Sequence, residues 1–304
     1  MNDSADRMIG ACLVFHERAV LYIGRLGGVS AHVHAAPALL IGLNAELAVW
    51  GCPVRPTPST APGPAAPAAA LEQAVWIPPG WCHALDGGDQ PVAVLYLEPG
   101  HPMAAQGLAH YPRNQATPLP ALLRTILLAR LSSIWNAPHA DAVRQGGHRL
   151  MRSLALHARA RQSARPPQPS ANRTARPATV PDTLNWLRRQ VLTTATQPDG
   201  KASPSTGFSA AAARQVWLSE TRLRHLFTQQ VGSSMQRYRA WCRLVLAGRH
   251  AQAGASLTHA AHAAGFADQA HFSRAFRQMF GLPPSQVFAQ PGTRWVDLDD
   301  LGPA

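Results

Sequence analysis

The chain has 304 residues, a formal net charge of +12 and four cysteines. That length suffices for two domains with cores of their own, and no run approaches the roughly 18 apolar residues of a membrane helix. Cys12, Cys52, Cys82 and Cys242 show no CxxC spacing, which argues against a disulfide or zinc framework and for reduced thiols in the cytoplasm. The opening MNDSADRMIG carries acids with no apolar run behind it, so no secretory signal is expected.

The positive charge is unevenly placed. Residues 1–158 hold 10 basic and 9 acidic side chains, whereas residues 159–181 hold 5 arginines and no acid. Residues 182–290 hold 12 basic against 4 acidic residues, and 291–304 form a short acidic tail with 1 arginine and 3 aspartates. A neutral half joined to a basic half points to a polyanion as partner of the second.

In chain order, VLYIGRLGG, HVHAAPALLIGLNAELAVW, AVWIPPGWCHAL and PVAVLYLEPG are short apolar or alternating segments between Gly and Pro. They predict a small β-barrel or sandwich over residues 1–158. His32 and His34 share one strand face because side chains alternate, and His83 follows the turn PPGW. The HxH pair with a later PxGxxH resembles the cupin barrel, which implies that these histidines point inward and bind a metal. The sequence departs from the cupin pattern where a glutamate would follow, at Ala38, Leu39 and Leu40. Three neutral imidazoles suffice for Zn²⁺, Fe²⁺ or Cu²⁺; no cofactor is otherwise expected, and the same inward face suits an organic effector. PVRPTPSTAPGPAAPAAA (53–70) reads as a low-complexity loop inside this domain.

Two apolar-periodic segments follow, LPALLRTILLARLSSIW (119–135) and DAVRQGGHRLMRSLALHAR (141–159). From the residues alone they are expected to cover the open side of the barrel. RARQSARPPQPSANRTARPATVP (159–181) is a basic, Pro-rich interdomain linker.

The last third repeats itself. Shifted by 49 residues, FSAAAARQVWLSETRLRHLFTQQVG (208–232) lies over LTHAAHAAGFADQAHFSRAFRQMFG (257–281). Each copy predicts a short Ala-rich helix, a tight turn and a second helix. Gly265 serves the turn of the second copy, and this register places Val216 at the same point of the first. Ser219 and Asp268 are the N-caps. The second helices bury Leu223, Leu226 and Phe227, or Phe272, Phe276, Met279 and Phe280, at helical spacing. At 100° per residue the opposite faces present Thr221, Arg224, His225 and Thr228, or Ala270, Ser273, Arg274 and Arg277, with no acid among them. Short polar and basic side chains suit a helix in a major groove. Between the copies, SSMQRYRAWCRLVLAGRHAQAG (233–254) predicts a long helix, spanning about 27 Å over about 18 residues.

GFADQAHFSRAFRQMFGLPPSQV (265–287), with the two repeats and the connecting helix, resembles the DNA-binding domain of AraC/XylS-type transcriptional regulators. The resemblance covers residues 182–290. It implies a seven-helix domain with two helix-turn-helix motifs reading adjacent major-groove segments of double-stranded DNA. The base-reading positions it implies are Thr221, Arg224 and His225, then Gln269, Ala270, Ser273 and Arg274, with Arg222 and Arg277 in the same interface. Ala270 can touch only a thymine methyl.

The expectation is therefore an α+β chain of two domains. A cupin-like β-barrel with flanking helices senses a small molecule, and an all-α domain with two helix-turn-helix motifs joined by a long helix binds DNA. The resemblance adds homodimerisation through residues 119–159, beside their covering role, and RNA polymerase as partners; activator and repressor both stay open. The alternative from another class is a cupin-type metalloenzyme tethered to DNA.

Overall fold

The computed structural model describes residues 10–52, 70–163, 180–195, 208–288 and 290–299. The Pro/Ala-rich loop at 53–69 and most of the basic linker, 164–179, lie outside them. Nine strands open the described chain: β1 (Ala11–His16), β2 (Ala19–Arg25), β3 (Gly28–Val33), β4 (Ala38–Gly42), β5 (Leu47–Gly51), β6 (Ala70–Glu72), β7 (Ala74–Ile77), β8 (Cys82–Asp86) and β9 (Pro91–Leu97). Then come α1 (Pro102–His110), β10 (Thr117–Pro118), α2 (Ala121–Trp135) and α3 (Ala140–Ser163). Seven helices follow: α4 (Val180–Ala195), α5 (Phe208–Gln215), α6 (Glu220–Val231), α7 (Met235–Gln252), α8 (Leu257–Ala263), α9 (Gln269–Phe280) and α10 (Pro284–Phe288). A last strand, β11 (Arg294–Asp297), closes the described chain.

The N-terminal strands do not close into the expected barrel. They form a seven-stranded sheet, β10-β7-β4-β9-β2-β1-β11, and a separate four-stranded sheet, β3-β8-β5-β6. A register shift between Val29 and His32 irregularly pairs β3 with β8, and among the described residues no strand pairs with the other edge of β3. Edge strands end at β10, two residues long, and at β11. The strand β11 also revises the view of 291–304 as an acidic tail. Cys12 to Phe15 pair in parallel with Arg294 to Asp297, so residues 294–297 return to the first sheet. Helix α3 likewise runs past residue 158, to Ser163.

Both faces of the larger sheet are buried, which explains why its strands read as unbroken apolar runs. Cys12, Val14, Leu21, Ile23, Leu39, Ile41 and Leu95 face one way and pack with Leu123, Leu127, Leu131 and Ile134 of α2 and Val143, Leu150 and Leu154 of α3. The alternate residues Leu13, Phe15, Tyr22, Leu40, Val94 and Tyr96 face the other way, into a core shared with the C-terminal helices. Helices α2 and α3 thus cover the back of the sheet. Its inner side is closed by the C-terminal domain itself.

In that domain α7 is the spine, with Tyr238, Trp241, Leu244 and Ala247 buried. Both second helices of the repeat end on glycines in the left-handed region, Gly232 (φ 78°) and Gly281 (φ 75°), each amide donating to the carbonyl four residues back. The first helices and turns, however, align with a shift of 48 rather than 49. Leu218 N donates to Ala213 O as Phe266 N donates to Ala261 O. The left-handed residue opposite Gly265 (φ 79°) is consequently Trp217 (φ 57°), not Val216, which is buried. The second copy has one more residue, Ala267, before its cap. A bulky residue with positive φ costs roughly 1–2 kcal/mol, and Trp217 is 94% exposed.

Candidate DNA interface and domain junction

The caps of the two second helices form as expected. Ser219 Oγ accepts from Arg222 N at 3.3 Å, and Asp268 Oδ1 accepts from His271 N at 2.6 Å. That amide holds the Asp268 carboxyl below its ordinary pKa. Beyond the caps, Thr221, Arg222, Arg224 and His225 are exposed on α6. Gln269, Ala270, Arg274 and Arg277 are exposed on α9, with Ser273 half-buried. The sequence-derived faces are therefore largely exposed on both helices. Two of their members are engaged within the protein. Arg224 pairs with Glu220 one turn earlier, an acid that the outward-face count left out because it precedes the first reading position. Gln269 Oε1 accepts from Thr258 Oγ1 at 2.8 Å.

The opposite ends of the same helices rest on the N-terminal domain. A Cβ built on Gly281 would meet Val29 Cγ1 at 2.5 Å, Ser30 O at 2.6 Å and His32 Nδ1 at 2.7 Å. One on Gly232 would meet Pro79 Cγ at 2.8 Å. Ser30 Oγ donates to Gly281 O at 2.6 Å, and Met279 Sδ accepts from Ala35 N at 3.2 Å. Only a residue without a Cβ permits this approach and the positive φ together. Polar links surround the contact. Tyr238 Oη donates to the buried Glu98 at 2.5 Å, and Arg188 pairs with Glu17 at 3.2 Å. Arg249 pairs with Asp297 and, at 2.7 Å, with Asp299. None of these links was legible in the sequence, because their partners lie more than 40 residues apart.

Two cavities occupy this junction. One, of about 70 Å³, is walled by Leu13, Phe15, Tyr22, Tyr96, Phe276 and Phe280 among others, and includes no charged side chain. The other, of about 380 Å³, carries Glu17, Arg18, Glu98, Arg188, Tyr238 and Arg249. Val20, Trp241 and Val245 line both, so the two adjoin.

The three sequence-predicted histidines converge, and two of them, His32 and His34, belong to the wall of the apolar cavity. His32, His34 and His83 offer ligand atoms all within 4.8 Å of one another. All three are buried, at 2%, 1% and 0% exposure. Burial lowers the pKa of His32 to about 4 and those of His34 and His83 well below the ordinary value, so all are neutral near pH 7. His32 Nδ1 donates to Ser30 O at 2.8 Å and His83 Nδ1 to Trp81 O at 3.2 Å. Their Nε2 atoms are therefore lone-pair donors. Among the described residues His83 Nε2 and His34 Nδ1 have no hydrogen-bond partner, each at a cost of about 1–3 kcal/mol.

Residues 212–290 match the family model described as a helix-turn-helix domain. No curated protein sequence matches the chain. Among solved structures, ToxT from Vibrio cholerae strain SCE256 with bound unsaturated fatty acid superposes with a TM-score of 0.51 at 9% identity, over 92% of this chain and 98% of that one. ToxT from Vibrio cholerae O395 bound to (E)-4-(8-methylnaphthalen-1-yl)but-3-enoic acid gives 0.51 at 7% identity, over 90% and 99%. The AraC-like transcriptional activator CuxR gives 0.34 at 11% identity, over 75% and 76%, too low to carry an argument. No helix among the described residues is long and apolar enough to cross a membrane. With two capped recognition helices, their basic faces open, inside a ToxT-like two-domain fold, the C-terminal part of the chain is an AraC-type helix-turn-helix domain and the chain is a DNA-binding transcriptional regulator.

Proposed function

We propose that an amphipathic carboxylic acid bound at the domain junction sets how the two recognition helices engage DNA. The observation that carries this reading is the double seating of Gly232 and Gly281 on the N-terminal domain. While seated, α6 and α9 have a fixed separation and tilt, and any ligand that opens the junction changes both. An apolar body fits the uncharged cavity, whereas 70 Å³ is well under the ~300 Å³ of an ordinary ligand site. The ligand must therefore displace Phe276 and Phe280 or extend past Val20, Trp241 and Val245 into the larger cavity. There its carboxylate competes with Glu17 for Arg188 or with Asp299 for Arg249. Two ToxT structures carry carboxylic acids with apolar bodies, the same ligand chemistry.

On DNA, Arg and Lys neutralise phosphates and make affinity fall with salt, while base-edge contacts from Thr221, Arg224, His225, Ser273 and Arg274 give specificity. A homodimer through α2 and α3 fits their exposed Leu122 (68%) and Leu156 (66%). The experiment is a titration of full-length protein with oleate, reading Trp fluorescence and operator affinity together. Saturable quenching with a shift in affinity, both lost in Val245→Trp, supports the reading. Quenching and affinity that Val245→Trp leaves unchanged would place the acid elsewhere.

A further inference from the structure

We propose that His32, His34 and His83 bind a divalent first-row transition metal, and that this metal clamps the C-terminal end of recognition helix α9 to the N-terminal domain. The site is built before any ion arrives. The imidazole rings lie 4.3–4.7 Å apart, centroid to centroid, in all three pairings. His34 Nε2 donates to His32 Nε2 at 2.8 Å, a proton that a cation would replace, and the Nε2 of His83 and Nδ1 of His34 have no partner among the described residues. A buried cluster of imidazoles with unpaired lone pairs is what a cation would satisfy. Ser30 O and Trp81 O fix two of the rings as metal-bound histidines are usually fixed, through the other ring nitrogen. An all-imidazole set selects Zn²⁺, Cu²⁺, Ni²⁺ or Co²⁺ over Mg²⁺ and Ca²⁺.

Among the described residues no carboxylate joins the set, so three neutral imidazoles would leave the ion its charge and at least one open position. His32 and His34 belong to the wall of the apolar cavity, and the Tyr96 hydroxyl lies 3.5 Å from His34 Nε2. Two of the three imidazoles that would hold the ion therefore adjoin the place where a ligand would enter.

The link to α9 is a chain of three residues. His32 donates to Ser30 O, Ser30 Oγ donates to Gly281 O, and His32 Nδ1 is itself one of the atoms that blocks a Cβ on Gly281. A metal that fixes the His32 ring fixes the surface on which the helix ends. The metal is a second input to the junction, and its binding does not depend on the carboxylate proposal.

The test uses full-length protein stripped with a chelator and loaded with Co²⁺ or Zn²⁺ alone. One Co²⁺ per chain should bind, with the visible ligand-field band of a nitrogen-coordinated ion. His83→Gln and His34→Phe should each abolish that band while keeping the helical circular dichroism of the metal-free wild type. Zn²⁺ should slow amide exchange at Phe280–Leu282 by about tenfold or more, and Ser30→Ala should remove this protection while the Co²⁺ band stays. Absence of stoichiometric binding, or a band that survives both histidine variants, overturns the site. A band without protection at the end of α9 overturns the clamp. Effector control is read separately, by oleate in metal-free protein, so failure of either proposal is distinguishable from failure of the other.

Discussion

Replacing Gly281 by Ala should separate the two domains, and the structure supplies an internal control. Gly281 and Gly254 both have positive φ, +75° and +89°. Either substitution costs roughly 1–2 kcal/mol of backbone strain. The added methyl at 281 meets Val29, Ser30 and His32 inside 2.8 Å, while the one at 254 meets nothing within 4 Å. Overpacking of that kind costs about 1–3 kcal/mol, and at 281 it is charged to the seated state alone, because the unseated helix end is free. The seating equilibrium should thus move by about 5- to 150-fold in Gly281→Ala and not at all in Gly254→Ala. The assay is amide exchange of β3 and α9 with small-angle scattering of the same samples. Gly281→Ala should lose protection at Ser30–Val33 and increase in radius, whereas Gly254→Ala should show only lower thermal stability. Equal behaviour of the two variants would refute the claim that this helix end is a docking surface.

Other expectations follow from the same geometry. Arg277→Ala should weaken all duplexes alike and reduce the slope of log affinity against log salt by about one; an unchanged slope argues against a phosphate contact. Glu220→Gln should free Arg224 and raise affinity up to about fivefold, since an exposed pair is worth about 0.2–1 kcal/mol, and unchanged or lower affinity would contradict that tie. His101 caps α1 through Nδ1, which accepts from Met103 N at 3.2 Å. Burial, then His16 and Arg18, lowers its pKa to about 4. The unfolded chain takes up this proton near pH 6.5 and the fold resists it. The stability present above pH 6.5 should therefore fall by up to about 3 kcal/mol as pH drops to about 4, and His101→Asn should flatten that part of the curve in denaturant titrations.

What the sequence revealed was what local spacing controls. The caps at Ser219 and Asp268, the buried stripes on α6 and α9 and the open polar faces all repeat within one or two helical turns, so the residues alone carry them. The one slip in the repeat came from a turn. A single extra residue, Ala267, moves the left-handed position from Val216 to Trp217, and no side-chain pattern marks a positive φ at a tryptophan. The histidine cluster was legible because alternation brings His32 and His34 to one face, and β8 sets His83 opposite His32. What covers the inner sheet face was not legible. Leu13, Phe15 and Tyr96 look the same whether a barrel closes over them or a second domain packs there, and the partners Trp241 and Phe280 lie far along the chain. The return of β11 was hidden for a similar reason, since four residues rich in charge read as tail until they pair with β1.

The most direct test of the central claim is selection of bound sequences from randomised duplexes, with wild type and Arg274→Ala side by side. Two reading helices on one spine predict two blocks of preferred bases about one helical turn apart. Arg274→Ala should blur one block, by about 1–3 kcal/mol at the affected base, and leave the other sharp. A single block in the wild type, or equal loss in both blocks in the variant, would contradict it.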